Sequence, residues 1–156
     1  HQWGIYPGTG SMNDAPHAKG RIVNVPLPAF AGDACFARIS EQVIQSLVES
    51  FRPQMILVSA GFDSHWDDPL TALGLSSAGF YAISKRLMDL AGKVCGGKIV
   101  FVLEGGYSPR NVANGGAAVF AAFTGESFAD SGDKSPRGEP NIEKMIESIR
   151  NWHGFA

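Results

Sequence analysis

Two short apolar runs, and the stretch between them, constrain this chain more than any other feature. Met55-Ile56-Leu57-Val58 and Lys98-Ile99-Val100-Phe101-Val102-Leu103 are continuous runs of strand length. Such runs predict strands buried on both faces. Between them, Ser76 or Ser77 is placed to cap a helix whose apolar face uses Phe80, Ile83, Leu87 and Leu90, and Gly96-Gly97 ends the connection. Strand, helix, strand is the signature of a parallel sheet with helices over its faces. The predicted fold class is therefore α/β, a parallel sheet flanked by helices. Parallel strands share a direction, so the loops after Val58 and Leu103 leave the sheet at one edge. In open α/β proteins that carboxyl edge is where ligands bind.

The remaining segments fit around this unit. Residues 1–20 are punctuated by Gly and Pro and read as loop. Arg21 to Val25 is a short run stopped by Pro26, which predicts a strand. Gly32-Asp33 opens a helix with Asp33 as its expected N-cap, and apolar residues from Phe36 to Phe51 recur at helical steps until Pro53. Ser108-Pro109 starts a further helix that runs to about Phe123 and stops at Gly125. Residues 126–140 are polar and read as a surface connection. Residues 141–154 form a last amphipathic helix carrying Ile142, Met145, Ile146, Ile149 and Trp152.

Bulk properties narrow the function classes. The 156 residues suit one domain, and 44% apolar content supplies a core. Only 18% of residues are charged and the net charge is -2, which argues against a nucleic-acid surface driven by charge. A basic protein or small cation as substrate stays compatible. No apolar run approaches the roughly 18 to 20 residues that span a membrane. No signal peptide is visible, and the first residues read as the middle of a loop, so the chain is expected to be a fragment. The expected location is cytoplasmic, or nuclear in a eukaryote, with an upstream targeting segment left open. Cys35 and Cys95 lie in apolar patterns and are expected to be buried free thiols.

The two loops at the carboxyl edge carry the chemistry. In the first, Asp63, His65, Asp67 and Asp68 place three carboxylates and an imidazole within six residues. Carboxylate oxygens and imidazole nitrogens bind divalent cations. The common alternative is loop capping, and Asp67 and Asp68 are expected to fix the loop by accepting backbone N–H groups. The second loop is Glu104-Gly105-Gly106-Tyr107. Two glycines allow close backbone approach, and a phenol held there can donate to a developing oxyanion. An ordinary half-buried tyrosine is the plainer reading of that motif alone.

Together the motifs carry a resemblance. Val58-Ser59-Ala60-Gly61-Phe62-Asp63, then Asp68-Pro69, then Leu103-Glu104-Gly105-Gly106-Tyr107 resembles the histone deacetylase family, in its class II-like and bacterial branch, among relatives of the acetylpolyamine amidohydrolases. Tyr6-Pro7-Gly8-Thr9-Gly10 and Val23-Asn24-Val25-Pro26-Leu27 match the same family in the same order. The resemblance covers residues 1–125 and implies the C-terminal half of a deacetylase catalytic domain of the arginase-deacetylase type. It implies that Asp63 is a zinc-binding carboxylate and that Tyr107 hydrogen-bonds the scissile carbonyl oxygen. It implies that Gly105 and Gly106 form the pocket floor, and that Tyr6 and Leu70 line an acyl-lysine tunnel. His65 matches a position that is not a ligand.

The same resemblance implies what these residues do not supply. The family takes its other zinc ligands and its paired catalytic histidines from upstream sequence, and no His-His pair occurs here. His1 is not a candidate base, His17 reads as exposed, and His153 sits at a helix end where positive charge is favoured. The implied cofactor is Zn2+, fully bound only in a longer parent protein, and the isolated chain is expected to be inactive. The implied partners are an acetylated lysine or acetylated amine, and the absent N-terminal half. Neither nucleic acid nor membrane is an expected partner. The alternative is a non-catalytic binding module, in which exposed apolar sheet surface drives homo-oligomerisation. A nucleotide-binding domain is disfavoured, because Gly105-Gly106 lacks the third glycine of that fingerprint.

Overall fold

The computed structural model describes residues 1–129 and 132–155. Its regular elements are α1 (Asp33–Ile39), a π-helical segment (Ser40–Ile44), α2 (Gln45–Phe51), β1 (Ile56–Ala60), α3 (Ser77–Cys95), β2 (Ile99–Leu103), α4 (Pro109–Thr124) and α5 (Glu143–His153), preceded by a single 3-10 turn at Pro16–Ala18. β1 and β2 pair in parallel, from Ile56 against Ile99 to Ala60 against Leu103. The βαβ unit predicted from the two apolar runs is therefore present, and both strands end level at one edge.

Local chemistry explains where the helices begin and end. The Ser76 hydroxyl accepts from the Gly79 N–H and caps α3, and Gly96 ends it in the left-handed region with φ of 65°. Pro109 opens α4 and Gly125 closes it. The π segment begins where the Ser40 hydroxyl bonds the Phe36 carbonyl at 2.8 Å, a side-chain bond that competes with the helix ladder.

The core has two centres. One gathers Cys35, Ile39 and Val43 with Leu27 and with Ile146 and Ile149 of α5. The other packs Phe62 and Leu75 against Phe80 of α3 and Ala118 and Val119 of α4, with Phe101 of β2 at its margin. Phe62 and Phe80 meet with ring centroids 5.1 Å apart. This second centre lies directly under the two loops of interest.

Several expectations need correction. The strands are not buried on both faces: Leu57 is 71% exposed, and Val100 and Val102 also face solvent. Alternation leaves Ile56, Val58 and Ala60 half-buried on the other face, so only one side of the sheet is covered. Arg21 to Val25 forms no strand, because no neighbouring strand offers it a ladder. Its Val23 and Val25 instead pack on the first core. Asp33 does not cap α1. The cap position is Gly32, and the Asp33 carboxylate accepts from Ser76, from its N–H at 2.8 Å and its hydroxyl at 2.5 Å. Cys35 is buried, whereas Cys95 is half-buried, and both are free thiols.

Residues 126–140 do more than connect, although Asp130 and Ser131 of that segment lie outside the described residues. Glu139 reaches back to α1, and its carboxylate accepts from the N–H groups of Gly32 at 3.0 Å, Ala34 at 3.0 Å and Cys35 at 2.8 Å. It caps that helix from over a hundred positions away. Burial, with Glu139 beside it, pushes the Cys35 thiol up to about 11, so this thiol is unreactive. His153 also departs from expectation. Burial lowers its pKa, and its Nδ1 accepts the Gly20 N–H at 3.0 Å, so it serves as a neutral acceptor rather than a cation on the helix end.

Replacing Glu139 by Ala is expected to lower stability by about 1–2 kcal/mol, the range for a lost N-cap. Thermal unfolding of the variant beside the parent chain measures it, and an unchanged transition would remove the capping role.

Candidate active site

The hydrogen-bond ladder of the sheet continues into the two loops. Beyond the last paired residues, the Glu104 N–H donates to the Ala60 carbonyl at 3.1 Å, and the Phe62 N–H donates to the Gly105 carbonyl at 2.8 Å. Asp63 follows the first loop's last rung and Tyr107 lies two residues past the second's. The Tyr107 N–H donates to Asp68 Oδ2 at 3.0 Å, a direct tie between the loops.

Asp63 is half-buried between two glycines. A Cβ on Gly105 would stand 2.8 Å from Asp63 Oδ2, and one on Gly61 would stand 2.9 Å from Oδ1. Both distances are below any real contact, so a side chain at either position would push the Asp63 carboxylate from where it stands. Gly106 has φ of 135°, and a Cβ there would meet Val112 Cγ2 at 2.5 Å. Burial, and then the nearby Asp68 carboxylate, raise the Asp63 pKa above its ordinary value. The Asp63 carbonyl accepts from the Thr71 hydroxyl, which folds the loop back on itself.

The rest of the loop is built from satisfied polar groups. As expected, Asp68 accepts backbone N–H groups, from Leu70 at 2.8 Å and Thr71 at 3.3 Å. Asp67 does not; its carboxylate pairs with the Arg110 guanidinium at 2.8 Å. His65 is only 1% exposed. Its Nδ1 accepts the Asp67 N–H at 3.1 Å, which leaves Nε2 to donate to Asp133 Oδ2 at 2.8 Å. Asp133 also accepts from the Trp66 indole at 2.7 Å and the Ser77 hydroxyl at 2.8 Å. His65 is thus occupied inside the fold and is not turned toward Asp63 as a ligand.

The N-terminal segment reaches the same edge. Gln2 Oε1 accepts the Ala72 N–H at 2.7 Å, and the α-amino charge of His1 is felt by Asp63. Tyr6 is 96% exposed, Leu70 66% and Tyr107 54%, so no closed tunnel surrounds them among the described residues. The structure therefore brings Asp63, Gly105, Gly106 and the Tyr107 backbone together, and leaves the Tyr6 and Leu70 side chains in solvent. Sequence reasoning missed Gly61, Thr71 and Asp133. Gly61 sits inside the quoted motif and was open to the same close-approach argument as Gly105. Asp133 acts across nearly seventy positions and carries no local signal.

A family profile described as "Histone deacetylase domain" matches residues 1–123. The chain belongs to the histone deacetylase family. It is 41% identical over 98% of its length to histone deacetylase 14, chloroplastic, of Arabidopsis thaliana, covering 38% of that protein. It is 36% identical over 80% of its length to a histone deacetylase-like amidohydrolase of Pseudomonas aeruginosa, covering 34% of it. The crystal structure of the HDA15 HD domain superposes with a TM-score of 0.81 at 27% identity, over 98% of this chain and 41% of that one. The chain thus spans well under half the length of these relatives. Asp133 and Glu139 both lie beyond the residues that the family profile matches.

Metal ligation can be tested against the residues present. Among the described residues, no group of three or more His, Cys, Asp or Glu side chains is placed to hold a metal ion. Catalytic zinc takes three protein ligands and an open position. The described residues do not make a zinc site by themselves, and Asp63 offers a single carboxylate.

The Asp133 contacts generate a prediction for pH. Burial opposes its ionisation, but hydrogen bonds from His65, Ser77 and Trp66 bring its pKa down to about 2 from 3.8. A depressed carboxylate stabilises the fold above its unfolded pKa, and that stability is lost as pH falls through the folded value. Between pH 4 and pH 2 the parent chain is expected to lose more stability than Asp133→Asn. Denaturant unfolding at each pH reads the difference, and parallel pH profiles would show that the network contributes nothing.

Proposed function

We propose that this chain is the carboxyl-terminal part of a zinc-dependent deacetylase that hydrolyses N-acetyl amides to amine and acetate. Acetyl-lysine in proteins and acetylated polyamines are the substrate classes. The observation that carries the reading is that the Asp63 carboxylate fills the space beside Gly105, where a Cβ would stand 2.8 Å from Oδ2, supported by the Phe62 to Gly105 hydrogen bond. It makes the two motif-bearing loops one unit at the sheet's carboxyl edge, where ligands of open α/β proteins bind.

Zinc in such a protein supplies Lewis-acid chemistry, with the ligands besides Asp63 coming from polypeptide outside these 156 residues. The roles proposed for the chain's own residues come from the family resemblance. Tyr107 holds an exposed phenol whose hydroxyl donates to the amide carbonyl oxygen as negative charge develops there. Gly105 and Gly106 form a floor with no side chain to obstruct an acyl group. Tyr6 and Leu70 supply apolar wall for the substrate's alkyl chain once the remaining walls are present. By this reading the chain alone is inactive, because one carboxylate does not hold zinc usefully.

A second reading keeps the family but not the catalysis. The solvent-facing Leu57, Val100 and Val102 form an apolar strip, which suits an association surface. Intact Asp63, Gly105, Gly106 and Tyr107 favour the catalytic parent.

In a protein that contains this chain and deacetylates an acetyl-lysine peptide, Tyr107→Phe is expected to reduce kcat by about 10²–10³-fold, the effect of removing one oxyanion donor. Full activity in that variant would remove the role assigned to Tyr107. The isolated chain is expected to bind zinc no tighter than roughly micromolar, since sites with few ligands gain little over water. Stoichiometric tight binding in equilibrium dialysis would reveal ligands that this reading omits.

A further inference from the structure

Asp68 stands apart from the other carboxylates of the site because hydrogen bonds reach both of its oxygens from two different loops. Oδ1 accepts from Leu70 and Thr71 within its own loop, and Oδ2 accepts from Tyr107, 39 positions away. The side chain is buried, at 8% exposure. Thr71, held at one end of this arrangement, bonds the Asp63 carbonyl with its hydroxyl. A short covalent and hydrogen-bonded path thus runs from the backbone of Asp63 through Thr71 and Asp68 to the backbone of Tyr107. At the far end the turn has little freedom, because Gly106 is wedged against Phe62 and Val112.

We propose that Asp68 is a positioning residue for the deacetylase reaction, setting the placement of the Tyr107 phenol relative to Asp63 by holding backbone N–H groups of both loops on one carboxylate. The proposal rests on the deacetylase reading and adds the residue that brings its two motifs into register. Only a side chain with acceptors on both ends suits the position. An asparagine keeps one oxygen, and its NH2 group then opposes an N–H donor from the other loop. Aspartate's single methylene also fixes the spacing between the loops. Displacement of a reacting group by about 1 Å costs on the order of 10²-fold in rate, so loss of this tie falls on the chemical step.

A double-mutant cycle tests the proposal in the deacetylase that contains this chain. Asp68→Asn is expected to lower kcat by roughly 10–100-fold with KM within about two-fold. In a Tyr107→Phe background the same substitution is expected to cost less than about two-fold, because the group being positioned has lost its hydroxyl. An equal loss in both backgrounds overturns the proposal, as does a raised KM at unchanged kcat. Full activity in Tyr107→Phe alone removes the role of Tyr107 and this proposal with it, whereas a protein containing this chain that releases no acetate from acetylated lysine or polyamine removes the deacetylase reading, so the two failures are distinct. Should Asp68→Asn not fold, amide hydrogen exchange on the unaltered protein decides. Protection of the Tyr107 amide comparable to the strand amides supports the tie, and exchange at the rate of an unbonded loop amide overturns it.

Discussion

The level, in-register pairing of β1 with β2 is the constraint from which the site follows. Parallel ladders join strands through evenly spaced bonds, and this one does not stop at the last strand residues. It adds a rung from Glu104 to Ala60 and another from Phe62 to Gly105. Each rung reduces the freedom of the loop beyond it, so Asp63 and Tyr107 emerge from backbone already fixed by sheet geometry. A site made this way inherits the rigidity of the strands. The glycines complete the arrangement, since side chains at Gly61 or Gly105 would occupy the space that the Asp63 carboxylate fills.

Support for this edge comes from chain that the family profile does not match. Asp133 gathers His65, Trp66 and Ser77 on one carboxylate, and Glu139 gathers three N–H groups at the start of α1. Both are charge-assisted contacts, which are stronger than neutral hydrogen bonds. They do for a loop and a helix end what a local cap or turn residue does elsewhere. Glu139 takes the capping task at α1, which frees the Asp33 carboxylate to secure the start of α3 through Ser76. The two helices and the site loop are in this way joined through carboxylates at the edges of the second core.

The sequence made most of this frame legible, and the failures have a common cause. The βαβ unit, the Ser76 cap, the glycine stops at Gly96 and Gly125 and the Pro109 start all rest on residues near in sequence, where local propensity decides. What escaped was decided at long range. Asp33 looks like a cap, but another carboxylate takes that place. Arg21 to Val25 has strand composition and no strand beside it. His153 has the position of a helix-end cation, yet packing makes it a buried acceptor. The apolar residues of β1 and β2 read as buried on both sides, while Leu57, Val100 and Val102 face solvent in these residues alone. In the site, Asp63, Gly105, Gly106 and Tyr107 were identifiable because they sit in compact motifs, whereas Asp133 contributes a single residue from an otherwise featureless polar stretch.

The contrast between Asp63 and Asp68 carries the chemistry furthest. They lie five positions apart on one loop, close enough for the charge of one to raise the pKa of the other. Asp68 has backbone N–H groups on both oxygens, so its burial is compensated within the fold. Asp63 is held half out of water, first by burial and then beside a like charge, and the fold finds its ionised form harder to accommodate than water does. A carboxylate kept in such surroundings weakens the fold at neutral pH, since protonation would relieve it. Two glycines nonetheless clear the space around it, and no apolar residue takes its place. Placing a cation against Asp63 would offset both the burial and the repulsion at once. That is the physical content of reading Asp63 as a ligand: its neighbour's charge meets N–H groups on both oxygens, while the N–H groups of Asp63 and Ser64 and the α-amino charge offset its own only in part.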